Sequence, residues 1–358
     1  MTPVGTQSIW KSSTRLADGR EIVYFDEAPG LGRAQARDTR PLPPRPPGPA
    51  LPHGSPDWGI RWDTLAGEWV VIAAARQDRT FLPPADQCPL DPSAPGRPTE
   101  IPADSYDVVV FENRFPSLAE PLGRCEVVCF TSDHSSSFAA LSPRRVRTVL
   151  EAWADRTEAL SALPGTRQVY CFENRGEEIG VTLHHPHGQV YAFPYVPPRT
   201  RSLLAAISHY GPGLMQDILD FERKSDRKLI ETEHFTVFVP FAARWPIEVH
   251  MLAHRQVPDL AATTGPERDE IAVLYPRILA ALDRLYDTPT PYIAAWHQAP
   301  VHQGRADIRL MLQVTSPRRA KDKLKYTAGS ETGMGAFIGD VVPEVAAARL
   351  REALDGLR

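Results

Sequence analysis

Asn174-Arg175-Gly176-Glu177-Glu178-Ile179-Gly180-Val181-Thr182-Leu183-His184-His185-Pro186-His187-Gly188-Gln189 places three histidines in four positions and follows them with a glycine and an amide. The residues before it, Gln168 to Phe172, read as a strand. If the segment stays extended, residues two apart share a face. His185 and His187 are then expected to point the same way, with Gln189 beyond them and His184 opposed. Pro186 stiffens the pair, and Gly188 is expected to let a ligand approach the backbone. Two imidazoles and an amide suit metal ligation by one or both histidines. They equally suit attack by a neutral imidazole on phosphorus, with the amide holding a phosphoryl oxygen. A surface histidine cluster without chemistry is the plain alternative; the glycine-rich approaches on both sides weigh against it.

Working outward, the same plan occurs twice. Glu126 to Thr131 reads as a strand ending near His134. A helix then begins with Ser142 as N-cap and Pro143 in first position, with Val146, Val149, Leu150, Trp153 and Leu160 as its apolar stripe. Pro164-Gly165 stops it, and the Gln168 strand leads to the histidines. In the second passage Ile247 to Leu252 is a strand, and Thr264 to Tyr286 a helix with the stripe Ile271, Leu274, Ile278 and Leu282. Tyr292 to Trp296 is a strand leading to His297. Strand, helix, strand and histidine, repeated, predict a duplicated α+β unit. Residues 13–26 alternate around Gly19 as a hairpin. Residues 30–58 read as a linker with eight prolines from Pro41 to Pro56, a density that excludes helix and central strand. Globular periodicity is expected from Trp58 onward.

Composition narrows the function classes. The 358 residues carry a formal net charge of −4 and are 42% hydrophobic, enough for a sizeable core and without the basic excess of a nucleic-acid binder. No uncharged apolar run approaches a membrane span of ~20 residues. The N-terminus lacks signal-peptide order, and four scattered cysteines are not a disulfide framework, so the cytoplasm is the default.

At His185-Pro186-His187-Gly188-Gln189, preceded by Asn174-Arg175-Gly176 and Gly180, the chain resembles the galactose-1-phosphate uridylyltransferase family, a branch of the histidine-triad superfamily. Ala75-Arg76-Gln77-Asp78-Arg79, Val110 to Pro116, Cys129 to Ser135, Trp296-His297-Gln298-Ala299-Pro300 and Lys325 to Glu331 look like the same family. The resemblance implies an α+β fold of two tandem histidine-triad-like repeats. These would form a mostly antiparallel half-barrel sheet flanked by helices. The implied divisions are an extension over 1–58, a catalytic repeat over 59–198 and a second repeat over 199–358, closed by a helix from Pro343. It implies a homodimer and a ping-pong transfer of UMP from UDP-glucose to galactose 1-phosphate. His187 is the implied nucleophile, Gln189 the phosphoryl-holding amide, and the backbone carbonyl of His185 the partner that sets the His187 tautomer. An amide cannot protonate a leaving group, which favours transfer between sugar phosphates over hydrolysis. Arg76 and Arg79 match phosphate-side arginines. Asn113 and Phe115 match residues near base and ribose, and Asn174, Gly180 and Thr182 match the phosphate loop. Lys325, Gly329 and Glu331 match the sugar end, which a second copy supplies in known members.

The family's first metal is a structural zinc. Its positions hold Cys88, Asp91, His134 and His185 here, with Asp91 in place of a second cysteine; a carboxylate is an acceptable zinc ligand. The second metal site keeps only His297, because Leu203, Met311 and Gln313 stand at the other ligand positions, so no metal is expected there. Departures gather at the sugar end. The alternatives carried forward are another sugar 1-phosphate or base, and an inactive sugar-nucleotide binder.

Overall fold

The computed structural model describes residues 2–4, 9–31, 33–34, 38–40, 59–73, 76 and 81–357. The proline-rich stretch from Pro41 to Pro56 and Arg79 lie outside the described residues.

Helix formation follows the predicted signals. In α1 (Pro143–Ser161) the Ser142 side chain accepts from the Arg145 amide at 3.2 Å, and Pro143 opens the first turn. The second long helix, Gly265–Arg284, is capped by Thr264 and Glu267, each side chain accepting from the other residue's backbone amide. The apolar stripes of both helices are fully buried, and the helices pack on each other and on one face of the sheet. Each such large apolar side chain contributes about 1.5–3 kcal/mol of burial.

The sheet has twelve strands. In chain order they begin with β1 (Thr2–Val4), β2 (Ile9–Arg15) and β3 (Glu21–Asp26). A separate small hairpin follows, β4 (Ile60–Asp63) with β5 (Glu68–Val71), before the sheet resumes with β6 (Val108–Glu112) and β7 (Arg124–Cys129). After α1 come β8 (Gln168–Arg175) and β9 (His187–Phe193), then α2 (Pro198–Tyr210) and α3 (Leu214–Arg223). Next are β10 (Lys228–Glu231), β11 (Phe235–Phe238), β12 (Ile247–Ala253) and α4, the helix over Gly265–Arg284. The chain continues through β13 (Tyr292–His297), β14 (Met311–Ser316), the small hairpin β15 (Arg318–Ala320) and β16 (Lys323–Leu324), α5 (Gly329–Met334) and α6 (Pro343–Asp355).

The order across the sheet is β1-β2-β3-β6-β7-β9-β8-β13-β14-β12-β11-β10, and every pairing is antiparallel. The arrangement is an open α+β sheet with its two strand–helix–strand passages joined at the β8–β13 seam. On either side of that seam the strands run outward in matching order, β9-β7-β6 on one side and β14-β12-β11 on the other. The closing helix is present: Leu350 and Leu354 of α6 are buried, and α6 packs on α4.

One expectation is corrected at the N-terminus. Ordered packing begins well before Trp58. The hairpin runs from Ile9 to Asp26, its β3 strand pairs with β6, and Ile22, Val23, Tyr24 and Phe25 are all buried, so the hairpin extends the main sheet. Asp26 at the end of β3 is salt-bridged to Arg33, and Lys11 of β2 reaches Asp155 of α1.

Residue alternation sorts the two faces. Val128, Val190, Cys171, Ala294, Leu312 and Met251 face the helices and form the main core. Their neighbours form a row across the opposite face. Phe111, Val127, Gln189, Phe172, Ala295, Gln313 and His250 stand opposite one another on successive strands. Phe111 and Val127 of that row are covered by a second apolar cluster, and Gln189, Gln313 and His250 carry its polar chemistry. Among the described residues no helix is long and apolar enough to cross a membrane.

Candidate active site

The histidine segment leaves the end of β8 and returns as β9. Gly176 has φ +106°, and a Cβ there would meet Cβ of Pro291 at 2.7 Å, so only glycine lets the loop close against the Thr288–Pro291 turn of the second half. The Arg318 guanidinium donates to Glu178 Oε1 at 2.8 Å and ties the same loop to β15. Between these elements lies a cavity of about 600 Å³, lined by Asn174, Gly176, His184, His185, His187, Arg318 and their neighbours.

His187 opens β9 and is half-buried. Its Nδ1 lies 2.7 Å from the carbonyl oxygen of His185. A carbonyl only accepts, so Nδ1 carries the proton and Nε2 presents its lone pair. Burial lowers the imidazole pKa below its ordinary value, against the raising effect of the His185 carbonyl, which keeps the ring neutral near pH 7. This is a nucleophile's tautomer in a nucleophile's charge state.

His185 does not continue the strand, and the extended reading of the pair is corrected here. A bend at His185 precedes β9, and His185 turns into a buried cluster built by residues far away in sequence. Its Nε2–H donates to the carbonyl of Thr131 at 2.7 Å, with the Tyr106 hydroxyl 2.8 Å away and itself donating to Leu90 O. Its Nδ1 lies 3.0 Å from Asp91 Oδ1, and the Nδ1 of His134 lies 2.9 Å from the same oxygen. With Nε2 holding the proton, Nδ1 of His185 turns a lone pair toward a carboxylate oxygen. Such a contact is favourable only with a proton or a cation between them, and burial disfavours the extra proton on His185.

Cys88, Asp91, His134 and His185 each aim one donor atom into this space, all within 4.8 Å of one another. Tetrahedral ligands at ~2.0–2.3 Å from a metal stand about 3.3–3.7 Å apart. The donor set and its spacing therefore fit a cation, with Thr131 O fixing the ring of one ligand from behind. Arg97 Nη1 lies 3.2 Å from Asp91 Oδ2, so the second carboxylate oxygen is occupied from outside the cluster.

Gly188 is a glycine for a different reason than ligand approach. It sits on the helix-facing side, and a Cβ there would stand 2.8 Å from both Phe130 Cζ and the carbonyl oxygen of Phe172. Packing under the histidines requires the missing side chain. His184 lines the same cavity and is exposed, with Nε2 3.1 Å from Glu177 Oε1.

Gln189 and Tyr191 follow His187 on the same face of β9. The Tyr191 hydroxyl donates to Gln189 Oε1 at 3.2 Å, and Arg76 Nη1 reaches Ser117 Oγ at 3.0 Å and the Tyr191 oxygen at 3.4 Å. Arg76 is thus linked to Gln189 through one hydroxyl. The Asn113 amide donates to Cys125 O, on the β7 residue opposite Tyr191, and Asn113 Oδ1 accepts from the Phe115 amide at 2.8 Å. Arg114 stacks on the Phe115 ring. Asn174 lines the cavity with a buried Oδ1 that has no hydrogen-bond partner among the described residues. Gly180 adopts φ +82° in open space, and the Thr182 carbonyl accepts from Leu82 N at 2.8 Å.

The sugar-end residues are not brought to this cavity within one chain. Lys325 Nζ is paired with Glu331 Oε1 at 2.8 Å, and Glu331 also accepts from the amides of Ala328 and Ile338. Gly329 opens α5 beside them.

A second cavity of about 580 Å³ surrounds His297 on the other half. There His297 Nε2 donates to Gln313 Oε1 at 2.8 Å, Gln313 Nε2 donates to Glu248 Oε1 at 2.6 Å, and His250 Nε2 donates to the same oxygen at 3.0 Å. Burial pushes His297 down to about 3. Glu248 is held at about 2, because hydrogen bonds from His250, Gln313 and the Arg244 amide outweigh its burial. A closed hydrogen-bond chain takes up these side chains.

Sequence reasoning missed Tyr106, Ser117, Tyr191 and Glu173. Only Tyr191 had a usable signal, its even spacing from His187.

The family model for the galactose-1-phosphate uridyl transferase N-terminal domain matches residues 119–197, and that for the C-terminal domain matches 204–357. The chain is 46% identical to a galactose-1-phosphate uridylyltransferase of Streptomyces lividans, over 96% of this chain and 98% of that one. It is 37% identical to the enzyme of that name from Thermotoga maritima, over 82% of this chain and 98% of that one. A solved uridylyltransferase structure superposes with a TM-score of 0.73 at 29% identity, covering 83% of this chain and 99% of the other. Matched along nearly its whole length in sequence and over its histidine-bearing sheet in structure, the chain belongs to the galactose-1-phosphate uridylyltransferase family.

Proposed function

We propose that this protein transfers UMP from UDP-glucose to galactose 1-phosphate through a uridylyl group carried on His187. The observation that carries the reading is the hydrogen bond from His187 Nδ1 to the His185 carbonyl, which leaves Nε2 with a free lone pair on a half-buried, cavity-lining ring two residues before an amide. The Nε2 lone pair attacks the α-phosphorus of UDP-glucose. A P–N bond forms as the P–O bond to glucose 1-phosphate breaks, and the leaving oxygen departs with its electron pair. The Nδ1 proton stays on the ring, where the His185 carbonyl stabilises the imidazolium. An oxygen of galactose 1-phosphate then attacks the same phosphorus, and the P–N electrons return to Nε2. Neither leaving group is a poor one, since each is a phosphate or an imidazole, so no general acid is needed and an amide suffices at position 189.

Gln189 in this reading holds a phosphoryl oxygen, with Arg76 and Arg79 on the phosphate side. Asn113 and Phe115 bind the nucleoside, while Asn174, Gly180 and Thr182 form the phosphate loop. The metal is zinc, held by Cys88, Asp91, His134 and His185. When bound, it neutralises the thiolate and carboxylate and anchors the His185 backbone, whose carbonyl orients the nucleophile. Lys325, Gly329 and Glu331 act at the sugar end of a partner subunit's site in a homodimer. The exposed Tyr326, Met334 and Val342 of that region support such an interface.

The test is intact-protein mass after incubation with UDP-glucose, beside His187→Ala. A gain of one uridylyl unit on the wild type alone, removed by galactose 1-phosphate, is the expected result. No gain on a protein shown to bind UDP-glucose would overturn the reading. A gain that galactose 1-phosphate fails to remove would overturn the choice of acceptor.

A further inference from the structure

We propose that Tyr191 is a positioning residue that fixes which way the Gln189 amide faces. The proposal rests on the reading of His187 as the uridylylated nucleophile.

The direction of the hydrogen-bond chain is set by its first member. Arg76 has only donors. Its Nη1 gives one hydrogen to Ser117 Oγ at 3.0 Å and approaches the Tyr191 oxygen at 3.4 Å. Ser117 Oγ and the Tyr191 oxygen lie 3.3 Å apart. The arrangement that satisfies all these contacts has the Ser117 hydroxyl and Arg76 Nη1 donating to the Tyr191 oxygen and the single phenolic hydrogen of Tyr191 going to Gln189 Oε1 at 3.2 Å. The amide oxygen is thereby committed. The Nε2 amino group, opposite it, has no hydrogen-bond partner among the described residues and keeps both hydrogens for a ligand.

The orientation matters because the two ends of an amide are nearly identical in shape and opposite in chemistry. An amino group stabilises charge building on a phosphoryl oxygen; a carbonyl oxygen in its place repels it. An imidazole at this position would not face the same choice once protonated. The platform beneath is rigid: the Tyr191 ring packs edge-on against Phe172 at 5.1 Å and beside Phe193 at 5.9 Å. Tyr191 stands opposite Cys125 and Tyr170 on the flanking strands. The hydroxyl can therefore be removed without disturbing the fold.

The experiment is a double-mutant cycle on the single-turnover rate of uridylyl-enzyme formation at saturating UDP-glucose, with Tyr191→Phe, Gln189→Ala and both together. Loss of a transition-state donor costs ~10²–10³, and loosening it costs less, so Tyr191→Phe is expected to slow the step about tenfold. UMP affinity should fall by less than the rate does, since the charge that the amino group meets grows in the transition state. In the Gln189→Ala background the Tyr191→Phe change should have no further effect, because nothing remains to orient. An unchanged rate in Tyr191→Phe overturns the proposal. So does a tenfold loss that persists without Gln189, which would assign the hydroxyl to Arg76 or to folding. A wild-type protein that takes up no uridylyl group overturns the nucleophile reading itself, and this proposal with it.

Discussion

Glu173 sits one residue before the cavity-lining Asn174, wholly enclosed, with Tyr292 donating to Oε1 at 2.8 Å and Tyr275 to Oε2 at 3.3 Å. Burial raises its carboxyl from 4.5 to about 7, and the two phenols and Arg175 offset only part of that. The folded chain therefore holds a proton that the unfolded chain releases between pH 4.5 and 7. Stability contributed by the neutral form is complete below about 4.5, is lost as pH rises to about 7, and is flat above. A separation of roughly 2.5 units corresponds to about 3 kcal/mol of folding free energy. Glu173→Gln keeps the shape and removes the ionisation. Chemical denaturation of both proteins at pH 5, 6, 7 and 8 should give a stability difference that shifts by about 2–3 kcal/mol in favour of the variant across the series, most of the full effect, because pH 5 already lies above the unfolded value. Comparing variants at each pH cancels whatever the metal cluster contributes to the profile, because both proteins contain it. A difference that stays constant with pH would refute the reasoning. It would show that Glu173 is ionised in the folded protein, with its two tyrosines and Arg175 sufficient to hold the charge.

Two further outcomes follow from packing and ligand chemistry. Gly188→Ala should cost about 1–3 kcal/mol by denaturant midpoint, because its Cβ meets Phe130 and a backbone oxygen at 2.8 Å. A loss under about 0.5 kcal/mol, the level of a neutral surface change, would mean the strand shifts to make room. Asp91→Cys should hold zinc at least tenfold more tightly in a chelator competition, since a second thiolate is the softer ligand; equal affinity would place the fourth ligand elsewhere.

The local chemistry of the site was legible in the chain. Period-two spacing put His187 and Gln189 on one face, and capping residues with helical spacing located α1 and α4 and their buried stripes. These features depend on neighbours within a few residues, which a sequence displays directly. Contacts across the fold were not legible from local pattern, and the grouping of Cys88, Asp91, His134 and His185 came only from the family resemblance. His134 and His185 meet on one oxygen of Asp91, 43 and 94 residues away. Gly188 is dictated by Phe130, just past the end of β7, and Phe172 of β8, and the N-terminal hairpin is buried because β3 pairs with β6, more than 80 residues on. The same holds for the facing of the Gln189 amide. Its sequence position permits either orientation, and only the tertiary structure, by bringing Arg76 and Ser117 to Tyr191, supplies donors on one side and so decides which end of the amide meets the phosphoryl group.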